Sequence, residues 1–588
     1  MTSKSNQRLK NFLPILDWLP HYKRSDLKGD IPAGLTVGVM LIPQGMAYSM
    51  LAGLPPIHGL YAVTVPLILY VVFGTSRQLA VGPVAIVSLL TATGIETLSP
   101  SNPEQYLLYV LTLAFLVGLI QILMGLFKLG FVVNFLSHPV ISGFTSAAAI
   151  VIGLSQIKHL LGLDLPNTAY FHEMVLSIFQ NLGKIHWPTF GMGIMGILII
   201  AYGKKIHSAF PSALMAVIVG VLLVWSFGLE DRGIGIMGDV PGGLPSLSYP
   251  LFDFSIWQGL LPIAVTISLI GFAESFAIAK TIQSKHKTYR LNANQELIGL
   301  GMANFGAAFF RGYPVTGGFS RTAVNHEAGA KTGLSSIISA GLIVLTLLFF
   351  TDLFYYLPNA ILGAVILVAI SGLIDTKGAF QLRKRDKADF SMLAATFMAT
   401  LILGVEIGIA TGMVLSLLMV IYKASRPHMA QLARVPGTHI FRNIERFDNL
   451  ELREDLLIVR VDGPIYFANV EFIKDRMDKW IGEKKRALRV VLFNMESVTS
   501  LDSTGAHEMG EWISEWRSEG LEVFVTGAKG PVRDAFSRLG MTDYIGAERM
   551  FVDDHSAIKY LEQTRDMGET SSLINYAIQS KASPKKKP

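Results

Sequence analysis

Two short segments interrupted by glycine and proline contain the residues best suited to binding an anion. One opens with Gly-Pro-Val-Ala at 82–85, and the other with Pro-Val-Thr-Gly-Gly-Phe-Ser-Arg-Thr at 314–322. The N-terminus of a half-helix presents unpaired N–H groups and the positive end of the helix dipole, which both favour an anion. Arg321, one turn into the second segment, adds a permanent positive charge. Broken segments at matching positions in two halves of a membrane chain indicate a site between two repeats.

The stretch Ile-Pro-Gln-Gly-Met-Ala-Tyr at 42–48 places polar groups inside an otherwise apolar segment. Gln44 and Tyr48 are four residues apart and therefore lie on one helix face. Proline and glycine inside a spanning helix are tolerated where the freed backbone groups find partners or line a cavity. The stretch predicts either a cavity wall with an amide and a phenol, or a proline kink with interhelical hydrogen bonds.

Glu274 lies in the middle of the apolar run 270–279. An ionisable residue at that depth costs at least ~2.5 kcal/mol on insertion scales, so it needs a function or a partner. Opposite Arg321 it could exchange a proton near neutral pH, because desolvation favours the neutral carboxyl and the cation favours the carboxylate. Two interpretations stay open, a proton-coupling group and a permanent structural Glu–Arg pair.

Little other chemistry is indicated. Cysteine is absent, which excludes disulfides, thiol nucleophiles and thiolate metal sites. The histidines share no metal-ligand spacing, and we predict neither a metal nor a cofactor. Ser503 and Thr504, at a predicted helix start, could cap the helix or accept a phosphoryl group. No Gly-x4-Gly-Lys-Ser/Thr motif is present, so ATP-driven activity is not supported. Asn292, Asn294 and 295–296 are interpreted as helix-start residues.

The composition indicates what surrounds these residues. The 588-residue chain is 51% hydrophobic and only 16% charged, whereas ordinary globular domains carry roughly 25% charged residues. This leaves too little polar surface for a set of soluble domains, so most of the chain must face lipid. The net charge of +6 indicates a cytoplasmic-face bias and not nucleic-acid binding. Residues 1–28 are polar and predict no secretory signal peptide.

Apolar blocks of spanning length run from Ile31 to Tyr422. At ~20 residues per crossing they predict about fourteen segments, at 31–51, 57–74, 80–98, 105–127, 131–157, 186–203, 210–227, 256–280, 291–310, 318–329, 334–352, 357–374, 388–404 and 406–423. Lys and Arg concentrate in alternate loops, so the positive-inside rule places the N- and C-termini on the cytoplasmic side. Lys158, Lys184 and Arg311 lie near predicted outer ends and are exceptions.

The composition changes after Lys423, where short β-rich runs alternate with amphipathic helical stretches and predict a small α/β domain. The predicted strands are 456–461, 490–494 and 523–526, and the predicted helices are 470–484, 505–519 and 531–539. We therefore divide the chain into a cytoplasmic N-terminal segment, a transmembrane transport domain, a cytoplasmic α/β domain with its linker, and a basic polar tail. Their bounds are 1–30, 31–425, 426–565 and 566–588.

Several stretches, in this order along the chain, resemble the SulP anion permease family. They are Ile-Pro-Gln-Gly-Met-Ala-Tyr (42–48), Gly-Leu-Pro-Pro-Ile-His-Gly-Leu-Tyr (53–61), Phe-Gly-Thr-Ser-Arg (73–77), Gly-Pro-Val-Ala (82–85), His-Pro-Val-Ile-Ser-Gly-Phe (138–144) and Asn-Gln-Glu-Leu-Ile-Gly-Leu-Gly (294–301). The α/β domain with Asp-Ser-Thr-Gly at 502–505 resembles the STAS module. The resemblance implies a seven-plus-seven inverted repeat, in which a core (segments 1–4 and 8–11) moves against a gate (segments 5–7 and 12–14). It also implies a homodimer.

In the SulP family the anion lies between the half-helices of segments 3 and 10, beside segment 1. The resemblance therefore implies an anion site at six positions, which are Gln44, Tyr48, Val84, Ala85, Ser320 and Arg321. It also associates the acidic residue of segment 8, here Glu274, with proton coupling. Bicarbonate-transporting relatives carry Asp in that region and depend on sodium, so Glu274 favours a proton.

The leading hypothesis is a secondary active transporter in the inner cell membrane that imports an inorganic anion. It favours sulfate as the anion, proton symport and an elevator-type mechanism. One alternative is sodium-coupled uptake of bicarbonate or a dicarboxylate through the same fold, and another is an anion sensor that acts through the STAS domain. A xanthine or uracil permease shares the architecture, but Arg321 and the STAS domain argue against a neutral base. An enzyme is not expected, because the sequence contains no nucleophile–base pair or metal set.

Overall fold

The computed structural model describes residues 12–135, 137–165, 171–206, 211–285, 289–484 and 487–564. The chain divides into two compact units between Ser416 and Leu417. The first unit is almost entirely helical, and the second contains a small α/β domain.

Each of the predicted spanning segments coincides with one helix or with two consecutive helices. The helices that precede the α/β domain are α1 (Ile15–Trp18), α2 (Leu27–Leu51), α3 (Ile57–Tyr61), α4 (Val65–Phe73), α5 (Ala85–Glu96), α6 (Pro103–Leu126), α7 (His138–Leu161), α8 (Phe171–Gln180), α9 (Trp187–Ile206), α10 (Ser212–Phe227), α11 (Phe254–Lys285), α12 (Ala293–Phe309), α13 (Phe319–Glu327), α14 (Leu334–Phe349), α15 (Asn359–Ile370), α16 (Thr376–Arg385), α17 (Lys387–Leu403) and α18 (Val405–Ser425). Within the described ranges, six helices are long and apolar enough to cross a membrane.

Three stretches differ from the prediction. Helix α7 begins at His138 and not at 131, because Pro139 occupies its first turn and residues 129–135 form a 3-10 turn. Helix α8 lies between the predicted segments 131–157 and 186–203, where no helix was predicted, and none of its residues is buried. Helix α16 replaces a predicted basic loop and starts where Asp375 accepts a hydrogen bond from the Gly378 N–H. These two helices were missed because each has only ten residues and is too short to span a membrane.

The membrane helices pack as two groups. Helix α12 packs against α6 and α4, α11 packs against α6, and α14 packs against α2. In the other group, α7 packs against α15 and α17, and α9 packs against α15 and α10. The grouping agrees with the core and the gate that the family resemblance implies. Both broken segments, α5 and α13, extend from the core, and each follows one strand of a short antiparallel pair, β1 (Val81–Gly82) and β2 (Thr316–Gly317).

A buried carboxylate fixes the chain between α4 and β1. Glu296 is fully buried, and its oxygens accept hydrogen bonds from the Tyr70 hydroxyl at 2.7 Å and from the N–H groups of Thr75 and Ser76 at 2.6 and 2.9 Å. Glu296 lies in the first turn of α12, as interpreted, and Asn292 caps that helix, but the Glu296 carboxylate also binds another element. Hydrogen bonds from several donors make burial of this charge acceptable.

Asp30 has the corresponding role at the start of α2. It is fully buried and accepts hydrogen bonds from the N–H groups of Lys331 and Thr332 at 2.6 and 3.0 Å, and from the Thr332 hydroxyl at 2.7 Å. The bonds hold the turn between α13 and α14 against α2. A buried carboxylate therefore fixes one loop next to each broken helix. Glu296 of α12 holds the loop that leads to α5, and Asp30 of α2 holds the loop that follows α13.

The α/β domain has a six-stranded sheet in the order β4-β3-β5-β6-β7-β8, parallel from β5 to β8 and antiparallel at β3 and β4. Its strands are β3 (His428–Arg434), β4 (Phe441–Asn443), β5 (Leu456–Asp462), β6 (Val490–Asn494), β7 (Glu522–Thr526) and β8 (Met550–Phe551). Its helices are α19 (Val470–Lys484), α20 (Ser503–Ser518), α21 (Gly530–Arg538), α22 (Met541–Ile545) and α23 (Asp554–Thr564). The three predicted strands and three predicted helices are present. Strand β3 lies in a stretch interpreted as linker.

The cap of α20 differs from the prediction. Asp502 precedes the helix, and its Oδ1 accepts a hydrogen bond from the Gly505 N–H at 2.7 Å. Ser503 and Thr504 are exposed in the first turn and do not cap the helix. A carboxylate at the N-cap position satisfies an open N–H and also interacts favourably with the helix dipole.

We expect Glu296→Gln to lower the stability of the membrane unit by about 2 kcal/mol or more, because a buried donor then faces an amide N–H instead of a carboxylate oxygen. The measurement is the midpoint of thermal unfolding of the purified protein in detergent, followed by tryptophan fluorescence. Glu104→Gln, at an exposed position in the first turn of α6, is the matched control. Equal midpoints for the two variants would contradict the anchoring role of Glu296.

Candidate functional site

The two half-helices begin side by side because the strands that lead into them are paired. Val81 lies opposite Gly317, and Gly82 lies opposite Thr316. Helix α5 then starts after Val84 and α13 after Gly318, and neither start receives a hydrogen bond from a capping side chain. Two helix N-termini therefore offer N–H groups to a ligand at the same place.

The Arg321 side chain lies between these helix starts and is only 2% exposed. Its Nη1 donates to the Pro83 carbonyl at 2.7 Å and to Gln44 Oε1 at 3.4 Å. Its Nε and Nη2 are buried and have no hydrogen-bond partner in the described part of the chain. These two nitrogens form one edge of the guanidinium, and that edge matches two oxygens of an oxyanion.

Two phenols lie near this guanidinium. Tyr48 and Tyr313 are buried, and both interact electrostatically with Arg321. The Tyr313 oxygen accepts a hydrogen bond from the Ser88 hydroxyl at 3.3 Å. Sequence reasoning missed Tyr313, whose one signal is its position directly before Pro314 of the second broken segment.

The other predicted positions differ in exposure. Val84 and Ala85 are buried next to the Pro83 carbonyl that Arg321 contacts. Ser320, in contrast, is exposed in the first turn of α13. The structure therefore brings Gln44, Tyr48, Val84, Ala85 and Arg321 into one buried cluster, with Ser320 at an exposed edge.

Glu274 belongs to the same cluster through α11. The Ser275 Oγ accepts from the Gly317 N–H at 2.7 Å and lies 2.6 Å from the Thr316 Oγ1, so α11 is fastened to β2. Glu274 and Arg321 attract each other electrostatically. Glu274 Oε2 is buried without a hydrogen-bond partner among the described residues, as are the two free nitrogens of Arg321. The site therefore contains a carboxyl group and a guanidinium cation with unused hydrogen-bonding capacity.

Gly318 provides the space for the guanidinium. A Cβ atom at this position would lie 2.6 Å from Nη2 and 2.7 Å from Cζ of Arg321. The φ angle of Gly318 is −95°, so the backbone itself permits a larger residue. A larger residue here would therefore displace the Arg321 guanidinium.

Nothing in the site suggests a metal. No group of three or more His, Cys, Asp or Glu side chains within the described ranges could hold one. The chemistry available is a permanent cation, two helix N-termini, two phenols, an amide and one carboxyl group. That set can bind an oxyanion and can exchange a proton beside it.

Comparisons with known proteins show the family to which the chain is similar. Residues 27–396 match the Sulfate permease family, and residues 449–557 match the STAS domain. The chain is 39% identical over 569 residues to Sulfate transporter 4.1, chloroplastic, of Arabidopsis thaliana, covering 94% of this chain and 82% of the relative. It is 33% identical over 571 residues to High affinity sulfate transporter 2 of Stylosanthes hamata, covering 94% and 86%.

Solved structures share the fold. The murine Solute Carrier 26 family member A9 anion transporter in the inward-facing state has a TM-score of 0.89 and 26% identity, with 96% of both chains covered. The transmembrane domain of a cyanobacterium bicarbonate transporter, BicA, has a TM-score of 0.59 and 24% identity, and covers 67% of this chain and 98% of its own. These likenesses confirm the predicted helical membrane fold with a C-terminal STAS domain.

We expect Gly318→Ala to lower the affinity of this site for an anion about tenfold or more, because the added methyl displaces the Arg321 guanidinium and so weakens its charged hydrogen bonds to the anion. Anion binding to purified protein and thermal unfolding are measured together, and stability should change little. Gly341→Ala is the matched control, since a Cβ there meets no atom within 4 Å. Unchanged affinity in Gly318→Ala would show that the guanidinium position does not matter.

Proposed function

The chain belongs to the sulfate permease family, and we propose that it imports sulfate by symport with protons. It is a multi-pass membrane protein that transports an anion, and it is not an enzyme. The observation that carries the proposal is the Arg321 guanidinium, buried between two uncapped half-helix starts with one edge free of partners among the described residues. The relatives named above as sulfate transporters support sulfate as the substrate.

A tetrahedral dianion suits this donor set. The Nε and Nη2 groups of Arg321 can bind two of its oxygens, and the helix N-termini of α5 and α13 can bind the others. Tyr48 and Tyr313 can each donate one neutral hydrogen bond. Sulfate carries no proton at neutral pH, so every donor of the site finds an acceptor.

We propose that the core carries the site across the membrane against the gate, in an elevator-type movement. The supporting observation is that every charged group of the site belongs to one packed body. Arg321 on α13 contacts Gln44 on α2 and the Pro83 carbonyl before α5, while α11 is bonded to β2. Over the described ranges, no helix of the gate group supplies a hydrogen bond to Arg321. The site can therefore move as a unit without rearrangement of its donors.

Glu274 is proposed as the group that couples a proton to the anion. A carboxylate and a dianion compete for the same cation, so occupation of the site by sulfate favours the protonated form of Glu274. Departure of the anion restores the attraction of Arg321 for the carboxylate and releases the proton. The two ligands would therefore be carried together.

The remaining proposals concern the setting of the protein. We propose a homodimer in the cell membrane with both termini in the cytoplasm, supported by the distribution of Lys and Arg and by the family resemblance. Ser503 and Thr504 are exposed at the start of α20, where an added phosphoryl group would interact favourably with the helix dipole. We propose them as regulatory phosphorylation points of the STAS domain.

Arg321→Ala should weaken sulfate binding by about 1.5–3 kcal/mol or more, that is ten- to more than a hundredfold, because a charge-assisted contact is lost in a desolvated site. Radiolabelled sulfate binding to the purified protein measures this. Arg383→Ala, an exposed arginine of α16, controls for loss of a positive charge as such. Parental affinity in Arg321→Ala would place the anion elsewhere.

Glu274→Gln should abolish sulfate accumulation driven by a pH gradient, because an amide does not titrate, while binding of sulfate persists. Proteoliposomes with acid outside test this by comparing initial uptake with and without the gradient, and Glu104→Gln is the control. The parent should accelerate in acid and the Glu274 variant should not. Concentrative uptake by the variant would contradict the coupling role, and a parent that requires sodium and ignores pH would favour the sodium-coupled alternative.

A further inference from the structure

A second polar cavity lies in the core, away from Arg321, and has a volume of about 640 Å³. It is bounded by the residues around α1, the turn after α4 and the start of α12. Its polar and charged lining comprises Asp17, Thr75, Ser76, Arg77, Tyr289, Arg290, Asn292 and Gln295. The Phe-Gly-Thr-Ser-Arg stretch at 73–77, which the proposed transport site does not use, forms one wall.

Two arginines give the cavity its charge. The Arg77 guanidinium lies over the Tyr289 ring at 5.2 Å and pairs with Asp17 at 3.5 Å. The Asp17 side chain is 65% exposed, so the pair contributes little and neutralises Arg77 only partly. Arg290 is exposed at the cavity and makes no hydrogen bond or ion pair within the described part of the chain. At least one full positive charge is therefore available to a ligand.

The rest of the polar lining is already bonded. Tyr289 donates to Gln78 at 2.7 Å, and the Ser76 hydroxyl interacts with the phenols of Tyr70 and Tyr289. The cavity also reaches the start of the 17-residue helix α12, where Asn292 caps the first N–H groups. The donors that the cavity offers to a ligand are therefore the two guanidinium groups, which are complementary to an oxyanion.

We propose that this cavity binds a phosphate-type oxyanion, as a phospholipid head group or as a soluble phosphate ester. Its volume lies within the range of small-molecule sites, roughly 300–1,000 Å³, and leaves room for an organic group on the phosphate. The cavity lies among loops rich in Lys and Arg, which the positive-inside rule places in the cytoplasm. The ligand is therefore a cytoplasmic metabolite or a lipid of the inner leaflet.

The bound oxyanion would act on the transport site through the residues that follow Arg77. The main-chain carbonyl of Gln78 accepts a hydrogen bond from the side-chain amide of Asn325 at 2.9 Å, and the Ala80 N–H donates one to the Thr322 hydroxyl at 3.1 Å. Both partners belong to α13, the half-helix that carries Arg321. A ligand that fixes the 74–77 turn therefore also restricts the position of α13.

The absence of cysteine from the chain allows the site to be probed directly. In full-length Ala293→Cys protein in nanodiscs, with the new thiol at a partly exposed position of the cavity lining, we expect inorganic phosphate, or phosphatidic acid in the nanodisc, to slow alkylation by iodoacetamide at least several-fold relative to phosphatidylcholine alone. Ser255→Cys, exposed at the start of α11, should show no protection. Protection by phosphatidic acid alone identifies a lipid, and protection by phosphate alone identifies a soluble ester.

Arg290→Gln combined with Ala293→Cys tests the charge, since Arg290 makes no hydrogen bond or ion pair to the described residues that its loss would break. We expect the ligand concentration for half-protection to rise about tenfold or more, whereas Lys377→Gln, exposed on α16, should leave it unchanged. Protection must also survive in Arg321→Ala, which separates this site from the proposed transport site. No protection by either ligand, or protection indifferent to Arg290→Gln, would overturn the proposal.

Discussion

The burial of the Arg321 guanidinium is the interaction on which the rest of the core depends. A charge of this size costs several kcal/mol to bury without partners, and within the described ranges only one of its nitrogens, Nη1, is bonded, to the Pro83 carbonyl and Gln44. Gly318 leaves space for it, and paired strands bring two helix N-termini, also positive, to the same place. The positive helix ends and the Arg321 cation repel one another, so the cluster is fully stabilised only when an anion is present.

The polar residues that hold this cluster in place each make hydrogen bonds to several partners, unlike the groups of the cluster itself. Asn304 accepts from the Val315 N–H at 2.8 Å and donates to the Val315 carbonyl at 3.1 Å, which fixes the chain just before β2. Glu296 fixes the turn before β1 and Asp30 fixes the turn after α13, with three or more donors each. Asn304, Glu296 and Asp30 are each bonded to several groups, whereas Arg321 and Glu274 have buried atoms without a partner among the described residues.

The same contrast determines how much of the fold and the site could be predicted from the sequence. The spanning segments and the strands of the α/β domain were found because apolar length and alternation are local properties. Arg321 and Glu274 were found because a charge within an apolar run is rare and usually functional. The first-turn position of Glu296 was predicted, but its hydrogen bonds to another element were not, since those partners lie more than 200 residues away. Tyr313 was missed because a phenol before a proline is typical of an ordinary loop. A contact between elements that are far apart in the sequence leaves no characteristic residue spacing, so the sequence alone does not predict it.

The arrangement of Glu274 and Arg321 is what makes coupling physically reasonable. Had they formed a bonded ion pair, the carboxylate would satisfy the guanidinium and leave nothing for the anion. Instead, Glu274 Oε2 and Arg321 Nε and Nη2 lack partners among the described residues, so the two charges attract without a direct bond. Such an attraction falls off with the distance between the charges. A dianion bonded directly to the guanidinium can outweigh it. Protonation of Glu274 then removes the repulsion that would otherwise expel the anion, which links the two ligands.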